Sequence, residues 1–495
     1  MPCDERQPLL EAGAVERNQH HESPQQGWRG SSHGEYPDDP MLWTTAFKWS
    51  IVGLLAFTGF VVTFTCTSVI PLAPHIVRDL DSHNSRKSSS VLLVTIWELG
   101  EAAGPLFLAP LSEMYGRYPV INCANLLFIS ATVLAATCDR ASVFILARAL
   151  TGLAVASNVL NPAIVGDILE PERRGVAMTI VMMTPLLGGA IGPVLSSALA
   201  ETLGWRRVIW ISAALAGLCE LVFLVFFKET CRVVILRRKA AMVHKKLGDA
   251  VPSEPSLACD ESLGEEMGSF WVSVLRPFVI FSGSGILMAL CLFSGVTYTL
   301  FYVVSVTLPD ILEDVYGQPL STAGSVFLSF TIGSAISVII CNRSLDRIYT
   351  RLRNANKGVG RPEFRLPLAV VGALTLPAFT FFFGVVPQLQ LPITFLILSV
   401  VLLGMTVMLS TLPIVAYIVD AFGCYSASAM TGLIFVRSLF GTFLPLAIGP
   451  LTDGFGYAGG FAVLSVVCLC LAPVPVVVMR YGPKWRQRSN YSREA

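Results

Sequence analysis

The stretch VLLVTIWELGEAAGPLFLAPLSEMYGR, from Val91 to Arg117, combines the two features that decide the fold of this chain. It opens with about 20 residues that are apolar apart from two glutamates, the length that a helix needs to cross a bilayer, because lipid offers the backbone no hydrogen-bond partners. It ends in a short polar loop that carries Ser112, Glu113 and Arg117. The stretch therefore predicts a membrane-spanning helix with acids in its middle and a charged loop at its end.

Eleven further stretches share this apolar character, so we predict an all-α membrane protein with twelve transmembrane helices in two pseudo-symmetric six-helix bundles. Hydrophobic residues make up 53% of the 495-residue chain and charged residues only 14%, which is too little polar surface for a soluble protein of this size. The seventh and tenth spans are long enough to tilt or break. The predicted spans are residues 47–72, 91–111, 119–138, 142–163, 176–199, 205–227, 278–308, 322–341, 367–387, 392–420, 428–451 and 457–479.

Lys and Arg gather on one side of these spans and so predict the topology. With the N-terminus inside, 27 of the 35 Lys and Arg lie on the cytosolic side, six lie in outer loops, and Arg148 and Arg437 lie within spans. Because positively charged loops stay in the cytosol, both termini are expected there. The predicted units are a disordered tail (1–45), a six-helix bundle (46–227), a polar cytosolic loop (228–277), a second six-helix bundle (278–479) and a C-terminal tail (480–495).

The first tail contains one short motif that bears on localisation. The stretch from Glu5 to Leu10, ERQPLL, is similar to an acidic dileucine sorting signal, although matches this short often arise by chance. We therefore expect a multi-pass protein of the plasma membrane, with the vacuolar or endosomal membrane as the alternative.

Acidic landmarks recur in the two halves. Asp167 ends the fourth span and Asp420 ends the tenth, while Glu113 after the second span corresponds to Asp346 after the eighth. Weak internal symmetry of this kind is typical of transporters in which a binding cavity lies between two repeats that rock against each other.

Motifs along most of the chain match one known pattern. They are the segment from Gly104 to Arg117, Arg148-Ala149-Leu150-Thr151-Gly152 in the fourth span, the glycine-rich segment from Gly188 to Pro193 in the fifth, and Tyr425-Ser426-Ala427-Ser428-Ala429 before the eleventh. Together these motifs resemble the major facilitator superfamily, in the form typical of fungal drug:proton antiporters. Two positions differ from that form: Tyr118 replaces a second basic residue, and Ser196-Ser197 replace a Gly-Gly pair.

The resemblance implies proton-coupled export of a small organic molecule, such as a drug, a toxin or another secondary metabolite. Glu98 and Glu101 lie one helical turn apart in the second span, where neighbouring acids disfavour each other's ionised form. Intramembrane acids usually mark proton or substrate pathways. We predict that Glu98, Glu101 and Arg148 couple transport to protons, with Glu101 as the partner of Arg148; a static salt bridge between helices is the alternative.

Two further groups of residues have predicted roles. Polar or aromatic side chains inside apolar spans suit a bulky ligand, although each can equally serve packing. Charged residues of the inner loops and the glycine-rich fifth span are predicted to gate the cavity. The cavity residues are Trp97, Asn158, Asn161, Tyr298, Tyr302 and Arg437. The gating residues are Glu113, Arg117, Asp167, Arg173, Gly188, Gly192, Pro193, Asp346 and Asp420.

Other functional classes have less support in the sequence. The chain has no phosphate-binding loop of the type GxxxxGK[ST], so an ion or substrate gradient is the expected energy source. Its six His form no cluster with acids, so we expect neither an enzyme, a metal site nor a cofactor. The expected partners are a small-molecule substrate, protons and membrane lipids, with no nucleic acid, and the protein is expected to be a monomer. A uniporter or importer of organic acids or other metabolites is the nearest alternative, followed by a transport-derived sensor.

Overall fold

The fold is described by a computed structural model for residues 40–80, 87–155, 157–231, 234–237 and 258–487, and these residues contain no β-strand. Most of the predicted tail 1–45 therefore lies outside the described residues, as do residues 232–233 and 238–257 of the predicted loop 228–277, whose last part, from residue 258 on, is helical. The main helices, numbered in chain order, are α1 Thr45–Thr67, α2 Ala73–Leu80, α3 Lys87–Tyr115, α4 Arg117–Thr137, α5 Ala141–Leu153, α6 Ser157–Ile168, α7 Pro171–Leu203, α8 Trp205–Phe226, α9 Ala258–Ser282, α10 Gly285–Asp314, α11 Leu320–Ala355, α12 Pro367–Gln388, α13 Ile393–Phe422, α14 Ser426–Phe443, α15 Ile448–Leu471 and α16 Pro473–Arg486.

Ten helical segments of the described chain are long and apolar enough to cross a membrane. One of them, Ser426–Arg486, turns back on itself at Gly456, whose φ is 70°. A Cβ on Gly460 would lie 3.0 Å from Cγ2 of Thr452, whereas eight residues of straight helix span about 12 Å. This segment therefore crosses twice, and the shorter α5 and α6 together supply a further crossing. The predicted all-α fold with twelve crossings is confirmed.

The fourth span is broken into α5 and α6 after Leu153, a feature that the sequence analysis did not predict. A Cβ on Gly152 would overlap the carbonyl oxygen of Trp97, and one on Gly100 would overlap that of Ala149. The backbones of α3 and α5 therefore touch, which small residues allow in membrane helices. The seventh and tenth spans, by contrast, contain the continuous 30-residue helices α10 and α13.

The boundaries of the second half also differ from the predicted ones. The predicted seventh span began at residue 278, but that residue belongs to α9, and α10 begins only at Gly285. Ser284 separates the two helices and caps α10 by accepting a hydrogen bond from the Leu287 amide at 3.4 Å. The predicted C-terminal tail is helical as far as Arg486.

The apolar cores show how the two halves are joined. At one end, here called the outer end, Phe144 of the first half lies in the same core as Leu312 and Leu396 of the second. At the opposite, inner end, which is predicted to be cytosolic, each half has its own core, around Phe223 in one and Phe422 in the other. The halves are therefore packed together at the outer end and packed separately at the inner end.

Two helix pairs make the most extensive contacts between the halves, α7 with α11 and α3 with α14. In the first pair, a Cβ on Gly324 of α11 would overlap the carbonyl oxygen of Pro193 in α7. In the second pair, the hydroxyl of Thr95 donates to the Thr442 carbonyl at 3.0 Å, and the hydroxyl of Thr442 donates back to the Thr95 carbonyl at 3.3 Å. These contacts hold α3 and α14 in register beside the predicted acids.

Candidate functional site

A cavity lies between the halves, next to the middle of α3. Its volume, with the part open to solvent included, is about 970 Å³, and it is lined by α1, α3 and α7 of the first half and by α10, α11 and α13 of the second. Most of its lining is apolar, as is usual for sites that bind organic molecules. Aromatic rings on the side of the second half come from Tyr298, Phe301, Tyr302, Phe327 and Phe330.

Glu98 lies in this cavity with none of its surface exposed to solvent. Its Oε1 accepts a hydrogen bond of 2.5 Å from the hydroxyl of Tyr302, which belongs to α10 of the opposite half. Its Oε2 is also buried and has no hydrogen-bond partner among the described residues. A buried oxygen without a donor is costly, so Glu98 is a natural place for a proton or for a donor group of a ligand.

The three residues predicted to couple protons gather around Cys66 of α1. Arg148 donates to the carbonyl oxygen of Cys66 at 3.0 Å and approaches its sulfur at 3.8 Å. Glu98, Glu101 and Arg148 all lie close enough to act electrostatically on the Cys66 thiol. Glu101 is 7% exposed and lines the cavity, and Arg148 is 3% exposed. The direct pairing of Glu101 with Arg148 stays a prediction.

Arg437 of α14 lies on the other side of this group. Its guanidinium carbon is 4.0 Å from the centre of the Tyr298 ring, a cation–π contact. Glu98 and Glu101 act electrostatically on it from the first half. The acids that act on Arg437 therefore come from the opposite half of the molecule.

The remaining predicted cavity residues lie in different places relative to the cavity. Trp97 lines the cavity, and its indole nitrogen is buried with no hydrogen-bond partner in the described part of the chain. Asn161 does not line it: the side-chain amide donates to the Leu55 carbonyl at 3.0 Å inside the first half. Asn161 therefore faces α1 and not the cavity, which corrects its predicted place. The side chain of Asn158 lies outside the described residues.

The family model described as Major Facilitator Superfamily matches residues 55–445 of this chain. The chain belongs to the Major Facilitator Superfamily. Its predicted family resemblance is thus confirmed, and it is a multi-pass membrane transporter.

Relatives and solved structures agree with this membership. "Efflux pump radE" of Floropilus chiversii is 29% identical over 458 residues, covering 92% of this chain and 84% of that protein. "MFS transporter cpaT" of Aspergillus oryzae is 30% identical over 481 residues, covering 97% and 95%. A crystal structure of a D-xylose-proton symporter superposes with a TM-score of 0.66 at 14% identity, covering 87% of this chain and 97% of that chain, and supports the fold alone.

At the inner end of this superfamily member, two predicted gating residues of the first half form an ion pair. Nε of Arg117 lies 3.3 Å from Oδ2 of Asp167, and Arg117 also donates to the Ser112 hydroxyl. The Thr230 hydroxyl also donates to Oδ2 of Asp167 at 3.3 Å. The other two predicted loop charges, Glu113 and Arg173, are exposed.

The second half contains a matching cluster. Arg365 binds both predicted acids, with Nη1 at 2.5 Å from Oδ1 of Asp346 and Nε at 2.9 Å from Oδ2 of Asp420. Arg365 was not among the predicted gating residues, although the correspondence of Asp420 with Asp167 implied a counterpart of Arg117 in the second half. Each cluster lies within its own half, so in this state neither cluster connects the two halves.

Glu229 holds the start of α4 and was also missed. Its carboxylate accepts hydrogen bonds from the backbone amides of Arg117 at 2.8 Å and Tyr118 at 3.2 Å. These are unpaired amides at a helix N-terminus, where a negative charge is favourable. The connection from α3 is the single residue Gly116, whose φ of 105° favours glycine. Glu229 therefore links the segment after α8 to the loop that carries Arg117.

A buried pair occupies the related place in the second half. Nε and Nη2 of Arg486, at the end of α16, lie 3.0 and 3.4 Å from the two carboxylate oxygens of Glu363, just before α12. Both residues are buried. In each half, a residue after or at the end of the last helix thus binds the chain at the start of the third membrane-spanning helix, which is α4 in the first half and α12 in the second.

The glycines of the fifth span pack mainly against α1 of the first half, so their role in gating stays a prediction. A Cβ on Gly188 would lie 2.5 Å from the Phe60 carbonyl oxygen, and one on Gly192 would lie 3.1 Å from that of Phe64, both in α1. Pro193 is the member of this motif whose carbonyl reaches α11 of the second half. The motif therefore fixes α7 against α1 and touches the other half at its outer end.

Proposed function

We propose that this transporter exports a small organic molecule in exchange for protons, by exposing the central cavity to each side of the membrane in turn. The observation that carries the proposal is the position of Glu98: it is fully buried at the boundary of the halves, with one oxygen held by Tyr302 and the other without a partner. An ionised acid at this depth costs about 2.5–3.5 kcal/mol or more. Protonation of Glu98 removes that cost.

The state of the molecule supports a cycle of this kind. A shared core closes the outer end, while the inner ends have separate cores, which corresponds to access from the inner side. A ligand that enters from the cytosol then meets Glu98 and Glu101. After the cavity has reoriented to the outer side, protons from that side bind these acids and displace the ligand. Export rather than uptake is supported by the relative named an efflux pump.

The test uses the full-length protein in liposomes with an imposed pH gradient. Candidate aromatic metabolites are screened for uphill transport and for substrate-dependent proton movement, followed with a pH-sensitive dye. We expect Glu98→Gln and Glu101→Gln to lose pH-driven accumulation. Glu101→Gln is also expected to keep counterflow, because exchange of ligand for ligand needs no proton step. Glu170→Gln is the matched control, since Glu170 is an exposed inner-loop acid whose side chain makes no helix-capping bond. Unaltered uphill transport by Glu98→Gln would defeat the proposal.

A further inference from the structure

The cavity wall of the second half is a preformed set of aromatic rings. The Phe301 ring lies 5.2 Å from the Phe330 ring and 5.6 Å from the Phe327 ring, both edge-on, and Phe327 and Phe330 stack at 6.2 Å. Rings at these distances stabilise one another's orientation. A wall of this kind favours flat, apolar ring systems in the ligand.

The charges around the cavity cancel. Glu98 and Glu101 contribute two carboxyl groups, while Arg148 and Arg437 contribute two guanidinium groups on neighbouring helices. An ion that enters such a site loses its hydration and finds no surplus of the opposite charge. The balance therefore favours an uncharged ligand.

Two buried polar atoms at the cavity have no hydrogen-bond partner among the described residues: Nε1 of Trp97 and Oε2 of Glu98. Both residues line the cavity. The indole nitrogen can only donate, and an ionised carboxylate can only accept. A hydroxyl group can do both, whereas an ether oxygen can satisfy the indole but leaves Glu98 without a donor.

We propose that the ligand of this cavity is an uncharged aromatic molecule with at least one unblocked hydroxyl group that donates to Glu98, and that an oxygen of the ligand accepts from Trp97. This assignment rests on the proposed function and specifies its substrate class. It also explains exchange in physical terms, because a proton on Oε2 of Glu98 removes the acceptor that the ligand hydroxyl needs. Ligand affinity therefore falls when the cavity is exposed to acid.

The test measures equilibrium binding to the full-length protein in lipid nanodiscs, without a gradient. The probes are matched pairs of fused-ring phenols and their methyl ethers, together with quaternary ammonium and sulfonate analogues of the same ring systems. We expect each phenol to bind at least about tenfold tighter than its ether, as one hydrogen bond to a charged group allows. Both charged analogues are expected to bind more weakly than the phenol.

Two variants distinguish the contribution of Oε2 of Glu98 to binding from that of Nε1 of Trp97. Glu98→Ala is expected to abolish the preference for phenol over ether, and Trp97→Phe is expected to weaken both ligands and retain the preference. Glu170→Ala serves as the control and is expected to change neither. In the unmodified protein, the phenol's advantage over the ether is expected to shrink as the pH is lowered, because a protonated Oε2 of Glu98 can donate to an ether oxygen as well as to a phenol. This readout needs no variant to fold.

Ethers that bind as tightly as phenols, or tighter binding of either charged analogue, would overturn the assignment. The outcome is separable from that of the proposed function, because binding is measured without proton flux. A phenol preference without pH-driven transport would refute proton exchange and leave the ligand class standing. Proton exchange without a phenol preference would do the reverse.

Discussion

Replacing Tyr302 with Phe tests the contact that joins the two halves at the cavity. The change removes the hydroxyl that donates to Glu98 at 2.5 Å and keeps the ring. Hydrogen bonds to charged groups contribute about 1.5–3 kcal/mol, and 1.4 kcal/mol is a tenfold change in an equilibrium constant. Because the bond connects α3 to α10, it is lost when the halves rotate apart. We expect the outer-closed state to fall about 10- to 150-fold relative to the outer-open state.

Pulsed electron paramagnetic resonance can measure this shift. Spin labels at the exposed residues Leu203 and Leu389, near the outer ends of α7 and α12, report the distance between the halves. Tyr316→Phe is the matched control, because the Tyr316 hydroxyl donates to the Leu391 carbonyl at 2.7 Å within the second half. A distance distribution that Tyr302→Phe leaves unchanged, or changes no more than Tyr316→Phe does, refutes the reasoning.

Three further outcomes are expected. Arg486→Leu leaves the buried Glu363 without its cation, so thermal unfolding in detergent should show a loss of about 3–5 kcal/mol, and the double variant with Glu363→Leu should recover most of it. Gly324→Ala pushes α7 from α11 at the outer end, where overpacking costs about 1–3 kcal/mol, and transport assays should show a loss of activity with the spin-label distances shifted to the outer-open state. At the outer end, the hydrogen bond from Arg78 of the first half lowers the pKa of Glu313 in the second half. This ion pair is therefore fully formed above the ordinary glutamate pKa of about 4.3 and is lost as the outside pH falls through the lowered pKa.

The controls for these three are set by the structure. Gly217→Ala adds the same methyl group in α8, where a Cβ meets no atom within 4 Å, and should leave transport unchanged. Arg78→Gln should abolish the acid-dependent change in spin-label distance. Because both side chains of this ion pair are well exposed, acid should change the ratio of outer-closed to outer-open protein by less than about fivefold. An Arg486→Leu protein as stable as the unmodified one would show that Glu363 is neutralised by other means.

The twelve crossings could be predicted because each depends on a local property, the apolar length that a helix needs in lipid. The break in the fourth span could not, since it accompanies the contact of Gly152 with the backbone of α3, and that contact is not visible in the sequence of the span. Asn161 was misplaced for the same reason: which way a side chain faces after such a break depends on the neighbouring helix α1.

Sequence alone determined the class of the molecule and the identity of its chemistry: apolar spans, the two acids Glu98 and Glu101 at membrane depth, and the repeat that pairs Asp167 with Asp420. Those are properties of composition and spacing along one chain. Only the tertiary structure decided that Tyr302 binds Glu98 from the opposite half and that Arg365 holds Asp420. These contacts join residues that are 204 and 55 positions apart, and the packing of whole helices, not their own sequence, brings such residues together.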